Sequence, residues 1–555
     1  MDLHILLALR FLLSLCLLPA SFAGSPGGRS GAHAKLTIRE ACNSHVQLLQ
    51  TNKICETTRD VKSYAGYVHL PAGSQYAAYE QNIFFWFFEA RKDPKRAPLT
   101  ALGGNGPCRV LGDSETTEVN KWSWNTHSNM LYIDQPVQAG FSYDTPTPGR
   151  IDLMSGELNA PGQDGTYIEG TFGSGDMTKT ASTTAQAAEA IWDFMQVWMK
   201  EKKFKHYCRD SISIWTQSYG GHWAPGIATH FLSKSPSRAE HAIGISSLGI
   251  FNGVTDFLVQ GEHFASFARN NTYGVQAYPQ TVADNVTEAL EGPGGCREQA
   301  TACQELAIKL DPENSGTDPQ VQAVCEPAAL FCSLSVYGPY LDESVGLKDF
   351  DITQGKEKQF PPPYANGFLN RESVQKKLGV DITEGKGVNY TYINPGILAS
   401  YMKSGDYLRR DFRFQLGELL NQGVPVTLAY GDRDYAANWF GGEALSLQIP
   451  FDNNDDFAKA GYANFVVDAG HEATHALFTR ALRNKDIPSG SQDASSFISE
   501  GPDSIRNITA APEGNEGDAF CYIMNAPLMA GQCSEEQLAG LADGTAVVED
   551  FIVAG

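Results

Sequence analysis

Long apolar runs are scarce in this chain of 555 residues. The one at the start, residues 5–18, is interrupted by Arg10 and falls short of the roughly 20 residues that a spanning helix needs. No later run approaches that length, and residues 547–555 are too few and too acidic for a lipid-anchor signal. A membrane span is therefore not expected. Basic runs interleaved with aromatic residues are also missing. With 64 acidic against 42 basic residues and a formal net charge of −22, the chain lacks the footprint of a nucleic-acid partner. There is no tight C-x-x-C and no Cys/His cluster, so the cysteines are assigned to disulfides rather than to a metal, and no cofactor is implied. Internal repeats and long low-complexity segments are absent as well. The acidity fits work at low pH, as it fits many proteins that work near neutrality.

What is present is a globular composition. Hydrophobic residues make up 42%, aromatics 11% and charged residues 19%, enough for a sizeable core in one large domain with an insertion or in several domains. Residues 5–18, followed by the small residues of Ser21-Phe22-Ala23, resemble a secretory signal peptide, residues 1–23, cleaved after Ala23. Its first residues depart from the usual pattern, carrying Asp2 and His4 in place of lysines. Residues 24–34 are glycine-rich and expected to be disordered. Four acceptor sequons, at Asn270, Asn285, Asn389 and Asn507, agree with secretion.

Of 11 cysteines, Cys16 leaves with the signal and ten remain, an even number for an oxidising compartment. Cys296 and Cys303 are seven residues apart, as are Cys325 and Cys332. Seven residues is about two helical turns, so each pair lies on one face. The nested pairing Cys296–Cys332 and Cys303–Cys325 would staple an antiparallel helical hairpin. Cys521–Cys533 would close a small loop. Of Cys42, Cys55, Cys108 and Cys208, Cys55–Cys108 is the pairing expected, although sequence alone leaves the connectivity open.

Strands are expected at residues 64–70, 83–89, 98–102 and 129–134, a glycine-rich surface loop at 162–175, and an amphipathic helix over 178–200 with Ala187, Ile191, Phe194 and Trp198 at helical spacing. Further strands follow at 211–215, 242–250, 424–430 and 462–467. Strands alternating with helices imply a mostly parallel sheet covered on both faces. From about Phe257 the pattern breaks into helical stretches, two sequons and the stapled cysteines, ending near Pro361-Pro362-Pro363. The division expected is a core of residues 35–256 and 400–555, with a largely helical cap insertion and return segment at 257–399.

The run Ser211-Ile212-Ser213-Ile214-Trp215 leads into Thr216-Gln217-Ser218-Tyr219-Gly220-Gly221-His222. Strand, sharp turn and helix form the setting of a nucleophile elbow, in which Ser218 Oγ is held clear of its own strand. Thr216 stands where a glycine is usual, and an ordinary turn fits the motif equally well when it is taken alone. The strand at 424–430 ends in Gly431-Asp432-Arg433-Asp434-Tyr435, and that at 462–467 in Asp468-Ala469-Gly470-His471-Glu472. Both are carboxyl ends of apolar strands, where α/β sheets place reactive loops. Ser218, Asp434 and His471 thus follow the Ser…Asp…His order of α/β-hydrolases, with Asp432 as a rival acid. In such a triad His471 takes the Ser218 proton and Asp434 holds the imidazole tautomer.

Beyond these residues, the chain resembles the secreted serine carboxypeptidases, especially the fungal branch similar to carboxypeptidase S1. The resemblance is carried by Cys55-Glu56-Thr57-Thr58, Ser63-Tyr64-Ala65-Gly66-Tyr67, Asn105-Gly106-Pro107-Cys108-Arg109-Val110, Tyr132-Ile133-Asp134-Gln135-Pro136 with Gly140-Phe141-Ser142-Tyr143, the elbow, Gly431-Asp432-Arg433-Asp434-Tyr435 with Asn438-Trp439-Phe440-Gly441-Gly442, and Ala469-Gly470-His471-Glu472. It implies an α/β-hydrolase fold, Asp434 rather than Asp432 as the acid, and removal of C-terminal amino acids from peptides or proteins at acidic pH through an acyl-enzyme on Ser218.

Two departures stand out. The family's long glycine loop, which implies one oxyanion N–H and groups for the substrate's terminal carboxylate, is shortened by roughly twenty residues between Leu102 and Asn105. That leaves Tyr219 N–H as one donor and Gly103 or Gly104 as substitutes for the other. A mis-joined coding segment is an alternative origin of the gap. Gln217 stands where the family commonly has a glutamate that binds that carboxylate when protonated. Ala437 replaces a cysteine found in some relatives. Trp122, Trp124 and Trp439 are candidates for a substrate pocket or for core packing. An esterase or acyltransferase with the same triad, and a catalytically impaired or non-catalytic relative, are the alternatives. The oligomeric state and the preferred C-terminal residue are not specified by sequence.

Overall fold

The computed structural model describes residues 44–51, 53–73, 77–103, 105–153, 158, 165–207, 210–234, 242–342, 345–348, 350–355, 364–383, 386–465, 471–511, 521 and 533–554. The expected signal peptide, the glycine-rich stretch after it, Cys42, Cys208 and Pro361-Pro362-Pro363 lie outside those residues.

Eight strands form one sheet: β1 (His45–Gln50), β2 (Ser63–Leu70), β3 (Gln81–Phe88), β4 (Leu99–Leu102), β5 (Asn129–Ile133), β6 (Ser211–Gln217), β7 (Gly244–Phe251) and β8 (Val426–Ala429). Their spatial order is β1-β2-β3-β5-β4-β6-β7-β8. The first three pairings are antiparallel and the remaining four, from β5 to β8, parallel. The central strands read as apolar runs because they are covered on both faces: Phe84, Phe85, Phe87 and Phe88 of β3 are all buried.

The amphipathic helix, α1 (Thr184–Trp198), supplies one of those covers. It begins six residues later than its periodicity predicts. Thr183 is extended and its side chain accepts the Gln186 N–H, so it ends the preceding segment and caps the helix. Phe194 and Trp198 of α1 meet Phe85, and Trp198 also meets Phe87, at ring separations of 5.7–6.4 Å. Each such ring contributes about 1.5–3 kcal/mol by leaving water.

Two expectations change. Residues 462–465 do not join the sheet, and 466–467 lie outside the described residues, so β8 is the edge strand among those described. Tyr462 instead donates its N–H to Pro502 O at 2.9 Å and its hydroxyl to Glu443. Gly461 and Gly501 pack so closely that a Cβ on Gly501 would fall 2.0 Å from Tyr462 O. The glycine-rich loop contains a strand, Tyr167–Phe172, paired antiparallel with Thr147–Asp152, because its hydrogen-bonding groups find a partner strand there.

Between β7 and β8 the chain is mostly helical. Helices α3 (Cys296–Leu310) and α4 (Pro319–Cys332) are joined by Cys296–Cys332 and Cys303–Cys325, the nested pairing the spacing predicts. Cys55–Cys108 and Cys521–Cys533 also form. The cap has its own buried cluster, which includes Phe264, Phe267, Tyr340 and the four cap cysteines and extends to Tyr435 and Phe440. Among the described residues no helix is long and apolar enough to cross a membrane.

The motif Asp134 to Tyr143 has a direct physical basis. Gly140 has φ +58°, and a Cβ there would lie 2.2 Å from Asp134 Oδ2. That oxygen accepts the Phe141 N–H at 2.8 Å. Burial pushes the Asp134 carboxyl up to about 7, with the Phe141 N–H opposing the shift. An unfolded aspartate titrates near 4. Between these values the folded chain keeps a proton that the unfolded chain has released, so this contribution to stability is complete at low pH and is lost as pH rises toward 7. Asp134→Asn should therefore lose less stability than the parent between pH 4 and pH 7, measured as the shift in urea midpoint.

Candidate active site

β6 ends at Gln217, and Ser218 turns the chain with φ +58° before helix α2 (Gly220–Ser233) begins. A left-handed backbone at a residue with a side chain costs about 1–3 kcal/mol and persists only where its surroundings enforce it. Here they do. Ser218 N–H donates to Phe251 O at 3.0 Å, and Ser218 O accepts from Gly221 N–H at 2.9 Å and Val254 N–H at 3.0 Å. The two glycines that follow are required by space. A Cβ on Gly220 would sit 2.3 Å from Thr216 Cβ, and one on Gly221 would sit 2.3 Å from Val254 O. Thr216 fills the position where glycine is usual and donates its hydroxyl to Gly220 O at 3.0 Å. The outcome is that Gln217 and Ser218 are exposed at the end of an otherwise buried strand.

The two candidate acids face different partners. Asp434, just past β8, accepts Asn252 Nδ2–H on Oδ2 at 2.7 Å and the Ala437 N–H on Oδ1 at 2.9 Å. Asn252 directly follows β7, and its own N–H donates to Ala429 O at 2.7 Å, so the loops after β7 and β8 are tied together. Asp432 instead accepts the Tyr273 hydroxyl at 2.6 Å, and Tyr273 also receives Arg433 Nε–H at 3.2 Å. Asp432 is thus engaged with the cap, while Asp434 is engaged with the strand end beside the elbow. Tyr435, fully buried, stacks on Tyr340 of the cap with ring centroids 3.7 Å apart.

His471 opens helix α5 (His471–Leu482); its side chain and residues 466–470 lie outside what the structure describes. The helix itself is docked on the elbow strand. Phe478 stacks on Trp124 at 4.2 Å and meets Trp215 of β6 edge-on at 4.9 Å. Trp124 is therefore a core residue. Trp122 is half-buried beside His475, one turn into α5, at 5.7 Å. Burial, followed by the positive charges of Lys92, Arg483 and Arg91, holds His475 below the usual histidine range. Trp439 is half-buried at the edge of the cap cluster.

The connection after β4 is well tied. Leu102 has φ +87°, and Leu102 is level with Trp215 of β6. A Cβ on Gly103 would lie 3.3 Å from Trp215 O, so Gly103 runs beside the elbow strand. Gly104 lies outside the described residues. Asn105 O accepts the Trp124 N–H at 3.2 Å, and Asn105 Oδ1 accepts Asn120 Nδ2–H at 2.7 Å. Arg91 then braces the segment, donating to Asn120 O at 2.7 Å and to Pro107 O at 3.1 Å. Its Nε–H reaches the buried Glu56 at 2.9 Å, and Glu56 also accepts from Asn125 at 2.6 Å.

Asn252 is a residue of the candidate site that sequence reasoning missed. Its signal was its position, since it stands directly at the carboxyl end of a buried strand, as the elbow and the acid turn do. Among the described residues no group of three or more His, Cys, Asp or Glu is placed to hold a metal. Of the sequons, Asn270, Asn285 and Asn507 are exposed, whereas Asn389 is half-buried and its Oδ1 accepts the Thr171 N–H at 3.0 Å.

A family model described as serine carboxypeptidase matches residues 54–483. The chain is 37% identical to carboxypeptidase S1 homolog B of Arthroderma otae over 571 aligned positions, covering 90% of this chain and 85% of that one. It is 36% identical to carboxypeptidase S1 homolog A of Trichophyton rubrum over 574 positions, covering 90% and 86%. Among solved structures it is similar to a prohormone-processing carboxypeptidase from Saccharomyces cerevisiae, with 18% identity, a TM-score of 0.45 and coverage of 70% of this chain and 77% of that one.

Exposure separates the four sequons. After expression through a eukaryotic secretory pathway and enzymatic glycan release, mass spectrometry should find the asparagine-to-aspartate mark at Asn270, Asn285 and Asn507, with the lowest occupancy at Asn389.

Proposed function

The chain belongs to the serine carboxypeptidase family, and on that footing we propose that it releases C-terminal amino acids from peptides and proteins through an acyl-enzyme on Ser218. The observation that carries this reading is the left-handed, exposed Ser218 at the end of β6, with Asp434 held by Asn252 at the neighbouring strand end.

The proposed sequence begins with attack of Ser218 Oγ on the carbonyl of the last peptide bond, as His471 takes the hydroxyl proton. The C–N bond then breaks, and His471 gives the proton to the amine of the departing amino acid. Water attacks the acyl-serine, His471 takes its proton, and the proton returns to Ser218 as the shortened peptide leaves. Asp434 orients the imidazole and stabilises its cation. Tyr219 N–H faces the oxyanion. Gly103 or Gly104 supplies the second donor, a position worth about 10²–10³ in kcat; glycine there lets the backbone approach closely. Gln217 binds the substrate's terminal carboxylate as a neutral amide donor.

The compartment proposed is extracellular or vacuolar. The four disulfides among the described residues support an oxidising one.

A fluorophosphonate probe should label the folded protein and not Ser218→Ala. A peptide blocked at its amino end should then lose its last residue. Release of ester groups without peptide cleavage would favour an esterase or acyltransferase, and a folded protein that takes no label would sink the enzymatic reading. Asn252→Leu, which removes one charge-assisted hydrogen bond from Asp434, should lower kcat by about 10–100-fold with little change in KM. With Gln217 neutral at every pH, KM should stay nearly constant between mildly acidic and neutral pH; a steep rise without titration of the triad would count against that role.

A further inference from the structure

Asp406 lies in the segment that returns from the cap, on no strand of the sheet, and its side chain is fully excluded from water. Four donors converge on it. Oδ1 accepts the Thr184 N–H at 2.7 Å and Asn314 Nδ2–H at 2.6 Å. Oδ2 accepts the Thr184 hydroxyl at 2.8 Å and the Tyr219 hydroxyl at 2.8 Å. An ionised carboxylate has about four lone-pair sites, and all of them are used. Thr184 belongs to the first turn of α1, Asn314 to the cap, and Tyr219 directly follows Ser218. The aspartate is itself rigidly presented. Gly405 before it has φ +86°, and a Cβ there would fall 2.9 Å from Cys325 Sγ, so the turn rests against the Cys303–Cys325 disulfide. Arg409 stands behind Asn314, donating to its Oδ1 at 3.4 Å and to Asp311 O at 3.1 Å.

A buried aspartate that served only to cap α1 would need the two Thr184 donors and no more. The Tyr219 phenol has no such need of burial, yet it is turned away from solvent toward Asp406. Proximity to that carboxylate and burial hold its proton on well above the usual phenol range, with burial the larger cause, so Tyr219 remains a donor. The peptide between Ser218 and Tyr219 is thereby fastened at both sides: the backbone of Ser218 to the loop after β7, and the side chain of Tyr219 to Asp406. An oxyanion donor contributes fully only when its direction is fixed before the reaction begins.

We propose that Asp406 is a positioning residue for the reaction. It anchors the Tyr219 side chain to α1 and the cap, and so fixes the direction of the Tyr219 N–H. The role rests on the acyl-enzyme reading given above, and it assigns the cap disulfide a part in supporting the nucleophile turn.

Two substitutions test it without emptying the site. Tyr219→Phe removes only the phenol oxygen. Asp406→Asn keeps its oxygen toward Thr184 N–H and Asn314, while its amide nitrogen cannot accept the Tyr219 hydroxyl, so the charge-assisted bond to the phenol is lost or replaced by a weaker neutral one. Wild type, both single variants and the double variant would be compared for fluorophosphonate labelling rate, for kcat and KM on a blocked peptide, and for thermal midpoint. Each single variant should lower the labelling rate and kcat by about 10-fold, with KM within about twofold of the wild type, and the double variant should be no slower than the slower single one. Multiplicative losses in the double variant, or losses that follow the thermal midpoint alone, would overturn the role. So would a Tyr219→Phe variant that labels at the wild-type rate, which decides the matter by itself if Asp406→Asn fails to fold. A folded wild type that takes no label would refute the acyl-enzyme reading first, and that result is distinct from all of these.

Discussion

Ser218 occupies a backbone region that an L-residue enters at a cost of about 1–3 kcal/mol, and the architecture around it exists to make the alternatives worse. The turn lies between β6 and the loop after β7, hydrogen-bonded on both sides. Releasing Ser218 to an ordinary conformation would break those bonds and drive Gly220 and Gly221 out of contacts that admit no Cβ. The strain is local and its support is not: it comes from β7, from α1 through Asp406, and from the cap. Because the cost is met by rigid neighbours, the hydroxyl can stay exposed while everything beneath it is buried.

The same logic governs the segment after β4. Four residues suffice for the strand because both neighbours, β5 and β6, supply parallel partners. The backbone beyond β4 is closed by side chains rather than by sheet. Asn105, Asn120 and Arg91 satisfy carbonyls that would otherwise be orphaned, and buried Glu56 neutralises Arg91. Cys55–Cys108 pins the same two segments covalently.

The cap is part of the frame of the site as well as a cover. It grips the acid turn through Tyr435 on Tyr340 and through Tyr273 on Asp432, and it reaches the nucleophile turn through Asn314 and Asp406. Its two disulfides thus stiffen a body that touches both halves of the proposed triad. Stiffness at these contacts matters, since reacting groups must be held near their working geometry before substrate arrives.

The sequence by itself determined the class of the fold and the order of the proposed catalytic residues. Buried strands such as β3 announce themselves as unbroken apolar runs, α1 by its period, and the cap disulfides by a spacing of two helical turns, because each signal is local. The elbow was legible for the same reason: serine, glycine and glycine after a strand can satisfy one turn. What only the tertiary structure decided is which groups meet across the chain. Asn252 on Asp434 and Tyr219 on Asp406 are separated by 182 and 187 residues, and no periodicity links them. The stretch at 462–465 misled because its apolar alternation suits a strand, while its backbone found partners at 501–502 instead. Pattern reports what a segment can bury; only packing selects the partner, since hydrogen-bond groups accept any geometry that satisfies them.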